Sequence, residues 1–322
     1  MSCYHRKIMK NGLIIFALFL SACGGAATNQ NTAANTASPA ATPAAKKAPD
    51  AELEKQFAEI AKDAKGKVGV AAVLLETGDN ASLNSTERFP MQSVYKLPIA
   101  LTVLKQTDDG KLSMDQEVVI TKDDFVSAGQ RSPIRDANPN GTKLKLWKLI
   151  EYAISESDGT ASDVLMRLAG GPGEVQKYVT ELGITDMTIK NSEKEFSKDW
   201  NVQYENSTTP QAAVALLTEL REARSIPFAK ISLIRDFMKE SQTGPNRLRG
   251  LLPENTYVAH KTGTSGTQKG ITAATNDIGL IQLPNDKYLL IAVFVSDSPA
   301  DEKTREAVIA KIAKAAWDKW SK

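Results

Sequence analysis

The sequence has 322 residues, of which 42% are apolar and 24% charged, so it can bury a large core without a disulfide scaffold. Without Arg6, Lys7 and Lys10 near its start, the formal charge falls from +2 to −1, which argues against a nucleic-acid-binding protein. Beyond residue 22 the chain has one His and one Cys, too few for the usual ligands of a zinc enzyme. We expect no metal and no other cofactor.

The chain begins with a basic stretch, an apolar run from Gly12 to Leu20 and then small residues, which is typical of a secretory signal at 1–22. The run is too short to span a bilayer. Leu20-Ser21-Ala22-Cys23 resembles the bacterial lipobox, which implies cleavage before Cys23 and a lipid on its sulfur. An ordinary secreted protein with a free Cys23 is the alternative. We expect an exported, periplasmic-side lipoprotein that contacts a membrane through its lipid anchor only.

Residues 23–50 are rich in Ala, Thr, Asn and Pro, a composition that predicts a disordered linker before a folded domain at 51–322. Apolar periodicity predicts helices at Ala51–Lys65 and Asp301–Trp320. Strands are predicted at Val68–Glu76, Tyr257–Lys261, Asn276–Leu283 and Tyr288–Ser296. The middle, roughly 93–240, is mostly helical in pattern. This order indicates a two-lobed α+β fold in which the first and last segments share one sheet.

Ser93 and Lys96 lie three residues apart where an apolar helix is predicted to open, and residues at i and i+3 share a helix face. A serine hydroxyl is a poor nucleophile until a base takes its proton. A lysine can be that base when burial or a neighbouring cation lowers its pKa. The helix N-terminus also offers free N–H groups to an oxyanion. The pair is therefore a candidate nucleophile and base, although this spacing also occurs by chance.

Two further motifs follow in order, Ser157-Asp158-Gly159 between two predicted helices and Lys261-Thr262-Gly263-Thr264 at the end of a predicted strand. With Ser93 and Lys96, they resemble the serine β-lactamase and penicillin-binding protein superfamily. The resemblance covers residues 51–322. It implies a five-stranded antiparallel sheet with the N- and C-terminal helices packed on it, beside a mostly helical lobe.

A carboxylate distinguishes the branches of this superfamily, because a β-lactamase needs a base that activates the water of deacylation. Asn191-Ser192-Glu193-Lys194-Glu195 precedes Ser207-Thr208-Thr209-Pro210, and the spacing of Glu193 from the second and third motifs is similar to that in class A β-lactamases. Glu193 is therefore the candidate base. Glu195 is its rival, and the remaining alternative is that both are ordinary loop carboxylates.

The resemblance implies five catalytic residues: Ser93 as nucleophile, Lys96 and Glu193 as bases, Ser157 as proton donor to the leaving lactam nitrogen, and Lys261 as its electrostatic support.

Substrate-binding residues are implied on the third-motif strand and near it. The hydroxyls of Thr262 and Thr264 would bind the substrate carboxylate, and the backbone N–H groups of Ser93 and Thr264 would form the oxyanion hole. Gly263 would keep the strand edge clear of a side chain that could obstruct the ligand. Arg247 stands where some family members bind the carboxylate with an arginine, and a surface or structural role is its alternative.

Five residues depart from the family pattern. Gly159 replaces an Asn that usually holds substrate and the catalytic lysine. Ser197 stands where an Asn often holds the hydrolytic water, which a hydroxyl can bind less rigidly. Asn191 and Asn206 replace an Arg–Asp pair, so either amide hydrogen bonds hold this loop or it moves more. Arg131 replaces a common aromatic wall of the site.

Two polar motif residues are expected to be non-catalytic. His260 should point to the face of the strand opposite Lys261, and Asp158 should hold its own loop through hydrogen bonds.

Three functions follow from these residues. The first is a monomeric class A β-lactamase that hydrolyses penicillins and cephalosporins through a serine acyl-enzyme and so confers resistance. The second is a penicillin-binding D-alanyl-D-alanine peptidase, against which Glu193 argues. The third is a non-catalytic lipoprotein that binds peptidoglycan or β-lactams, for which Gly159 is the only support.

Overall fold

The computed structural model describes residues 47–322, so the predicted signal, Cys23 and most of the linker lie outside the described residues. The α-helices are α1 Ala51–Ala61, α2 Lys96–Asp108, α3 Pro133–Ala137, α4 Leu146–Ser155, α5 Gly159–Ala169, α6 Pro172–Glu181, α7 Glu193–Phe196, α8 Pro210–Glu222, α9 Phe228–Lys239 and α10 Glu302–Trp320. The strands are β1 Lys67–Leu74, β2 Asn80–Leu83, β3 Phe89–Pro90, β4 Glu117–Ile120, β5 Thr142–Lys145, β6 Met187–Thr188, β7 Ser207–Thr208, β8 Val258–Thr264, β9 Thr267–Gln268, β10 Ile271–Gln282 and β11 Tyr288–Ser298. No helix within 47–322 is long and apolar enough to cross a membrane.

The main sheet contains five antiparallel strands in the order β2-β1-β11-β10-β8, and the short β9 also pairs with β10. This confirms the predicted five-stranded sheet and adds one short strand. Val70 of β1 lies opposite Val293 of β11, so the first and last segments of the domain share the sheet as predicted.

The strand that carries the third motif is longer than predicted. β8 continues past Lys261 to Thr264 because Gly263 and Thr264 stay paired with β10. β10 and β11 are joined by the predicted turn at Pro284-Asn285-Asp286. The whole third motif is therefore held in the ladder of the sheet.

Helices α1 and α10 pack together on one face of the sheet, where Leu53, Phe57 and Ile309 are buried. The first helix ends at Ala61, earlier than predicted, and a 3₁₀ turn at Lys62–Ala64 follows it. The helical lobe covers the opposite face, so β10 and β11 are buried along almost their whole length. The sheet is therefore the middle layer that fixes β8 beside the helical lobe.

The first motif begins in a 3₁₀ turn. Gln92–Tyr95 forms this turn and α2 starts only at Lys96, although the sequence predicts a helix that opens at Ser93. The physical reason is Pro98, which has no N–H to donate to the carbonyl of the residue four positions earlier. In a 3₁₀ helix the side chains at i and i+3 eclipse, so Ser93 and Lys96 still face one cleft.

Candidate active site

A cleft of about 490 Å³ lies between β8 and the helical lobe. The predicted site residues in its wall are Ser93, Lys96, Ser157, Glu193, Ser197, Thr262 and Thr264. Lys261 is fully buried beside Ser157. Gly263 and Arg247 are absent from the residues within 47–322 that line the cleft. The other wall residues are Gln92, Gly129, Gln130, Arg131, Phe196, Trp200, Gln203, Thr243, Ser265 and Gly266. Within 47–322, no group of three His, Cys, Asp or Glu side chains could hold a metal ion.

Lys96 joins the segments of the site. Its side chain is 2% exposed, and its Nζ lies 3.0 Å from Glu193 Oε1 and donates to the Ser157 carbonyl at 2.6 Å. A buried ammonium without partners would cost several kcal/mol, so the ion pair with Glu193 and the hydrogen bond to Ser157 make the position possible. Because Ser93 and Lys96 are on one turn, the same lysine connects the candidate nucleophile to both other segments.

Two residues of the site have a left-handed backbone, with φ of 47° at Gln92 and 56° at Ser157. Neither is glycine, and such conformations cost about 1–3 kcal/mol each and persist only where the surrounding structure holds them in place. The Gln92 amide donates to Gln203 Oε1 at 2.8 Å, and Ser157 is held by Lys96 and Lys261. The strain therefore lies directly beside the candidate nucleophile and at the candidate proton donor.

Asp158, the middle residue of the second motif, holds this motif in place through its side-chain hydrogen bonds. It caps α5 by accepting the Ala161 N–H at 2.8 Å, and it also accepts the Ile134 N–H at 2.8 Å and the Ser132 hydroxyl at 3.0 Å. The side chain is completely buried, and that burial raises its pKa. These bonds confirm that Asp158 holds its loop through hydrogen bonds.

Lys261 is the second buried lysine. Its Nζ donates to Ser157 Oγ at 2.9 Å and to the Thr262 carbonyl at 3.1 Å. Burial first, and then the positive charge of Lys96, hold the pKa of Lys261 well below its ordinary 10.5. His260 faces elsewhere, with Nδ1 2.8 Å from Asp277 Oδ2, as its position in the strand predicts. Lys261 can therefore act on the Ser157 hydroxyl directly.

Glu193 and Glu195 lie on the short helix α7 but have different surroundings. Glu193 is buried against Lys96 in the cleft, and Gln130 donates to its carbonyl and, at 3.3 Å, to Oε2. Glu195 accepts the Ser192 N–H at 2.8 Å and closes the capping box of α7. Its carboxylate is occupied in holding the helix, and it is absent from the described wall of the cleft.

The sequence did not identify Asp163 or Gln130 as site residues. Asp163 accepts the backbone N–H groups of Glu193 at 2.7 Å and Lys194 at 3.1 Å, so it fixes the start of α7. Burial is the main cause that raises the pKa of Asp163 to about 6. The available signal was a lone acid among the mostly apolar residues of the helix that follows Asp158. Gln130 gave no such signal.

Amide hydrogen bonds hold the ends of the segment that carries Glu193. Asn206 accepts the N–H groups of Lys190 at 2.7 Å and Asn191 at 2.9 Å, and it donates to the Asn191 carbonyl at 2.8 Å. Asn206 is completely buried. This confirms the first of the two expectations for the missing Arg–Asp pair, since one amide ties both ends of the segment.

The reason for glycine at position 263 differs from the expected one. A Cβ there would lie 2.3 Å from the Met91 carbonyl and 3.1 Å from Gln92 Cβ, so it would collide with the turn before Ser93 and not with a ligand. The expectation that a side chain would obstruct the ligand is therefore corrected. Gly263 allows β8 to approach that turn, which places Thr262 and Thr264 in the wall beside Ser93.

Arg247 lies behind the wall of the cleft and is 3% exposed. It forms an ion pair with Glu306 at 3.0 Å and donates to the carbonyls of Gly263 and Asn276. One further donor contacts Thr264 Oγ1 at 2.9 Å. Arg247 therefore reaches the cleft through the Thr264 hydroxyl, and the direct contact with a carboxylate stays a prediction.

The remaining departures lie around the rim. The exposed Ser197 donates its hydroxyl to the Lys194 carbonyl at 2.8 Å, which leaves its oxygen lone pairs available as acceptors. Arg131 forms an ion pair with Glu156 at 2.7 Å where an aromatic wall is usual. A Cβ at Gly159 would lie 3.3 Å from the Arg131 carbonyl, so this glycine lets the Arg131 segment pack closely.

Comparison with known proteins agrees with this geometry. The β-lactamase enzyme family model matches residues 52–320. The chain is 42% identical over 268 residues to β-lactamase VEB-1 of Pseudomonas aeruginosa, covering 83% of this chain and 89% of the relative. A β-lactamase structure from Chitinophaga pinensis is 45% identical with a TM-score of 0.81, covering 83% of this chain and 99% of its own. The structure of TLA-3 extended-spectrum β-lactamase is 41% identical with a TM-score of 0.82, covering 84% and 99%.

The family match extends over the whole folded domain, and the identity to VEB-1 holds over most of both chains. The three motifs that suggested the resemblance lie around one cleft. This chain therefore belongs to the β-lactamase enzyme family, as the resemblance of its motifs to the class A serine enzymes predicted.

Proposed function

We propose that this protein opens the β-lactam ring through an acyl-enzyme on Ser93 and then hydrolyses that acyl-enzyme with a water that Glu193 activates. Lys96 and Glu193 share the base work: the ammonium passes one of its protons to the carboxylate 3.0 Å away and accepts the Ser93 proton in its place. The N–H groups of Ser93 and Thr264 stabilise the oxyanion. Ser157 passes a proton to the leaving lactam nitrogen. Its hydrogen bond from Lys261 supports that transfer.

The observation that carries this proposal is the buried pair of Lys96 and Glu193 in the wall that also contains Ser93. A general base must lie within reach of the proton that it takes, and the Glu193 carboxylate lies in the same wall as Ser93. Penicillin-binding enzymes share the serine and lysine motifs, so a carboxylate in the cleft is the feature that supports hydrolysis over stable acylation. Glu195 is engaged as a helix cap and does not compete for this role.

We propose penicillins and cephalosporins as substrates, with the hydroxyls of Thr262 and Thr264 as ligands of the substrate carboxylate. Arg131 and Ser197 line the cleft where an aromatic residue and an Asn are usual in the family, so the wall beside the substrate's side chain differs from the family pattern. One similar structure is that of an extended-spectrum β-lactamase, which agrees with this range.

The test is a chromogenic cephalosporin added to the purified chain. Steady turnover supports the proposal. A single burst followed by a stable covalent adduct would instead identify a penicillin-binding peptidase. The absence of both would leave a non-catalytic binding protein.

We further propose that the mature protein is a lipoprotein on the periplasmic side, tethered through Cys23 and the segment up to residue 50. The lipobox-like sequence at 20–23 and the linker composition of 24–49 support this. The folded domain would act as a monomer beside the membrane.

A further inference from the structure

Three buried side-chain oxygen atoms form no hydrogen bond with a described residue. They are one oxygen of the candidate base, Glu193 Oε1, and the hydroxyl oxygens Tyr95 Oη and Ser162 Oγ. Glu193 Oε1 has the Lys96 ammonium 3.0 Å away, but outside hydrogen-bond geometry. Ser162 and Glu193 are both close enough to the Tyr95 phenol to influence its pKa. Because buried polar groups are almost always hydrogen-bonded, three such atoms together require an explanation.

The position of Tyr95 is fixed by its neighbours. It ends the 3₁₀ turn that begins the first motif, and it is completely buried. Its ring stands edge-on against Phe196, with centroids 5.5 Å apart and an angle of 71° between the planes. Phe196 ends the same short helix that Glu193 begins. The phenol is therefore packed against the helix that carries the candidate base.

The charge state of the phenol makes it a donor. Burial raises the pKa of Tyr95 well above its ordinary value of 10, and the charges of Glu193 and Asp163 raise it further. The Ser162 hydroxyl acts in the opposite direction, as a donor to the tyrosine oxygen would. A protonated phenol next to a carboxylate can only donate to it, so the direction of the chain of hydrogen bonds is determined.

We propose that Tyr95 is a positioning residue for Glu193, with its hydroxyl donating to Glu193 Oε1 while the Ser162 hydroxyl donates to the tyrosine oxygen. This inference rests on the proposed role of Glu193 as the base of deacylation. A donor at Oε1 stabilises the charged carboxylate and turns the other oxygen, Oε2, toward the water.

The other groups that face Glu193 do not change in the test. Lys96 contacts Oε1 from α2, and Asp163 on α5 binds the Glu193 backbone N–H. Gln130 donates at Oε2, and Lys261 acts only through its charge. A variant that removes the phenol oxygen alone therefore isolates its contribution.

The decisive variant is Tyr95→Phe, which keeps the ring against Phe196 and removes only the hydroxyl. We expect the acidic limb of the kcat profile for a chromogenic cephalosporin to move to higher pH by roughly 0.5–1 unit, the worth of one hydrogen bond. Single-turnover deacylation near the acidic limb should slow roughly 3- to 10-fold. The matched control is Tyr178→Phe, which removes another buried hydroxyl, bonded to Ser225, and should leave the profile unchanged.

The order of the chain is tested with Ser162→Ala. Its shift should have the same direction and be smaller, and the double variant should shift no further than Tyr95→Phe alone, because Ser162 acts through Tyr95. Additive shifts would overturn this order. Suppose that the wild type turns over and Glu193→Gln stalls, as the proposed function requires. A Tyr95→Phe profile that superimposes on that of wild type would then overturn the inference about Tyr95 alone. If Glu193→Gln does not stall, the proposed base itself fails, whatever Tyr95→Phe shows.

Discussion

Asp163 and Glu193 are joined by a hydrogen bond in which the buried Asp163 carboxylate accepts the Glu193 backbone N–H at 2.7 Å. The pKa of Asp163 is raised from 3.8 to about 6. Between these pH values the folded protein therefore keeps a proton on Asp163 that the unfolded chain releases. The free energy of unfolding should therefore fall as the pH rises from about 4 to about 6.

Asp163→Asn removes this dependence. Above pH 6 the variant should be more stable than wild type by up to about 3 kcal/mol, less whatever the amide loses as an acceptor, and the difference should vanish below pH 4. Urea unfolding at pH 4 and pH 8 measures both values. Asp115→Asn, at an exposed carboxylate, is the control and should show no such change. A stability difference that is the same at both pH values would contradict the prediction.

Glu193→Gln should acylate with penicillin in the first turnover and then stall, because the amide cannot accept the proton of the deacylating water. Deacylation should slow about 10²- to 10⁴-fold, the usual worth of a general base. Stopped-flow kinetics with mass detection resolves both steps.

The matched control for that experiment is Glu195→Gln, because Glu195 lies on the same short helix α7 as Glu193. Its amide oxygen can still accept the Ser192 N–H, so turnover should stay near that of wild type. Accumulation of adduct in Glu195→Gln, with normal turnover in Glu193→Gln, would move the base to the other carboxylate.

Ser93→Ala should abolish turnover and acylation together. No covalent adduct should appear by mass spectrometry after exposure to penicillin, since the alanine has no nucleophile. An adduct of unchanged yield would show that another hydroxyl of the cleft reacts.

Arg247→Ala should lower kcat/KM for substrates with a carboxylate beside the lactam by roughly 10- to 150-fold, the worth of about 1.5–3 kcal/mol. It should also lower the melting temperature, because it leaves Glu306 buried without its partner. Thr264→Val separates the two effects. If Arg247 acts through the Thr264 hydroxyl, this variant should lose affinity for the substrate and keep its stability. A loss under threefold in Arg247→Ala would make the residue structural only.

Cys23→Ala should leave hydrolysis intact and release the protein from membranes, because the linker separates the tether from the cleft in sequence. Cell fractionation followed by activity assay measures both. A variant that stays in the membrane fraction, or a soluble wild type, would contradict lipidation at Cys23.

The sequence was sufficient for the parts that depend on local pattern. Four of the five main strands and the final helix follow from apolar periodicity, whereas β2 begins at Asn80, which the pattern places in a turn. The five-stranded sheet and the roles of the three motifs came from the family resemblance. The differences lie where tertiary contacts decide. Pairing with β10 carries β8 to Thr264, and Pro98 delays the start of α2.

The supporting residues were harder to predict, because their partners are distant in the chain. Asp163 binds backbone N–H groups 30 and 31 residues away, and Gln130 reaches Glu193 from 63 residues away. Arg247 matched a family position, but its burial behind Thr264 depends on Glu306 of the last helix. Such arrangements leave no periodic signal in the sequence.

Among residues 47–322, β8 is the last strand on its side of the main sheet, and its one neighbouring strand is β10. The backbone groups on its other side pair with no strand of the described part of the chain. An exposed strand edge of this kind is a template on which another extended chain can pair and aggregate. Here the helical lobe faces that margin across a cleft of about 490 Å³, a volume typical of a small-molecule site. The reactive cleft therefore also protects the sheet against adding a strand from a second polypeptide.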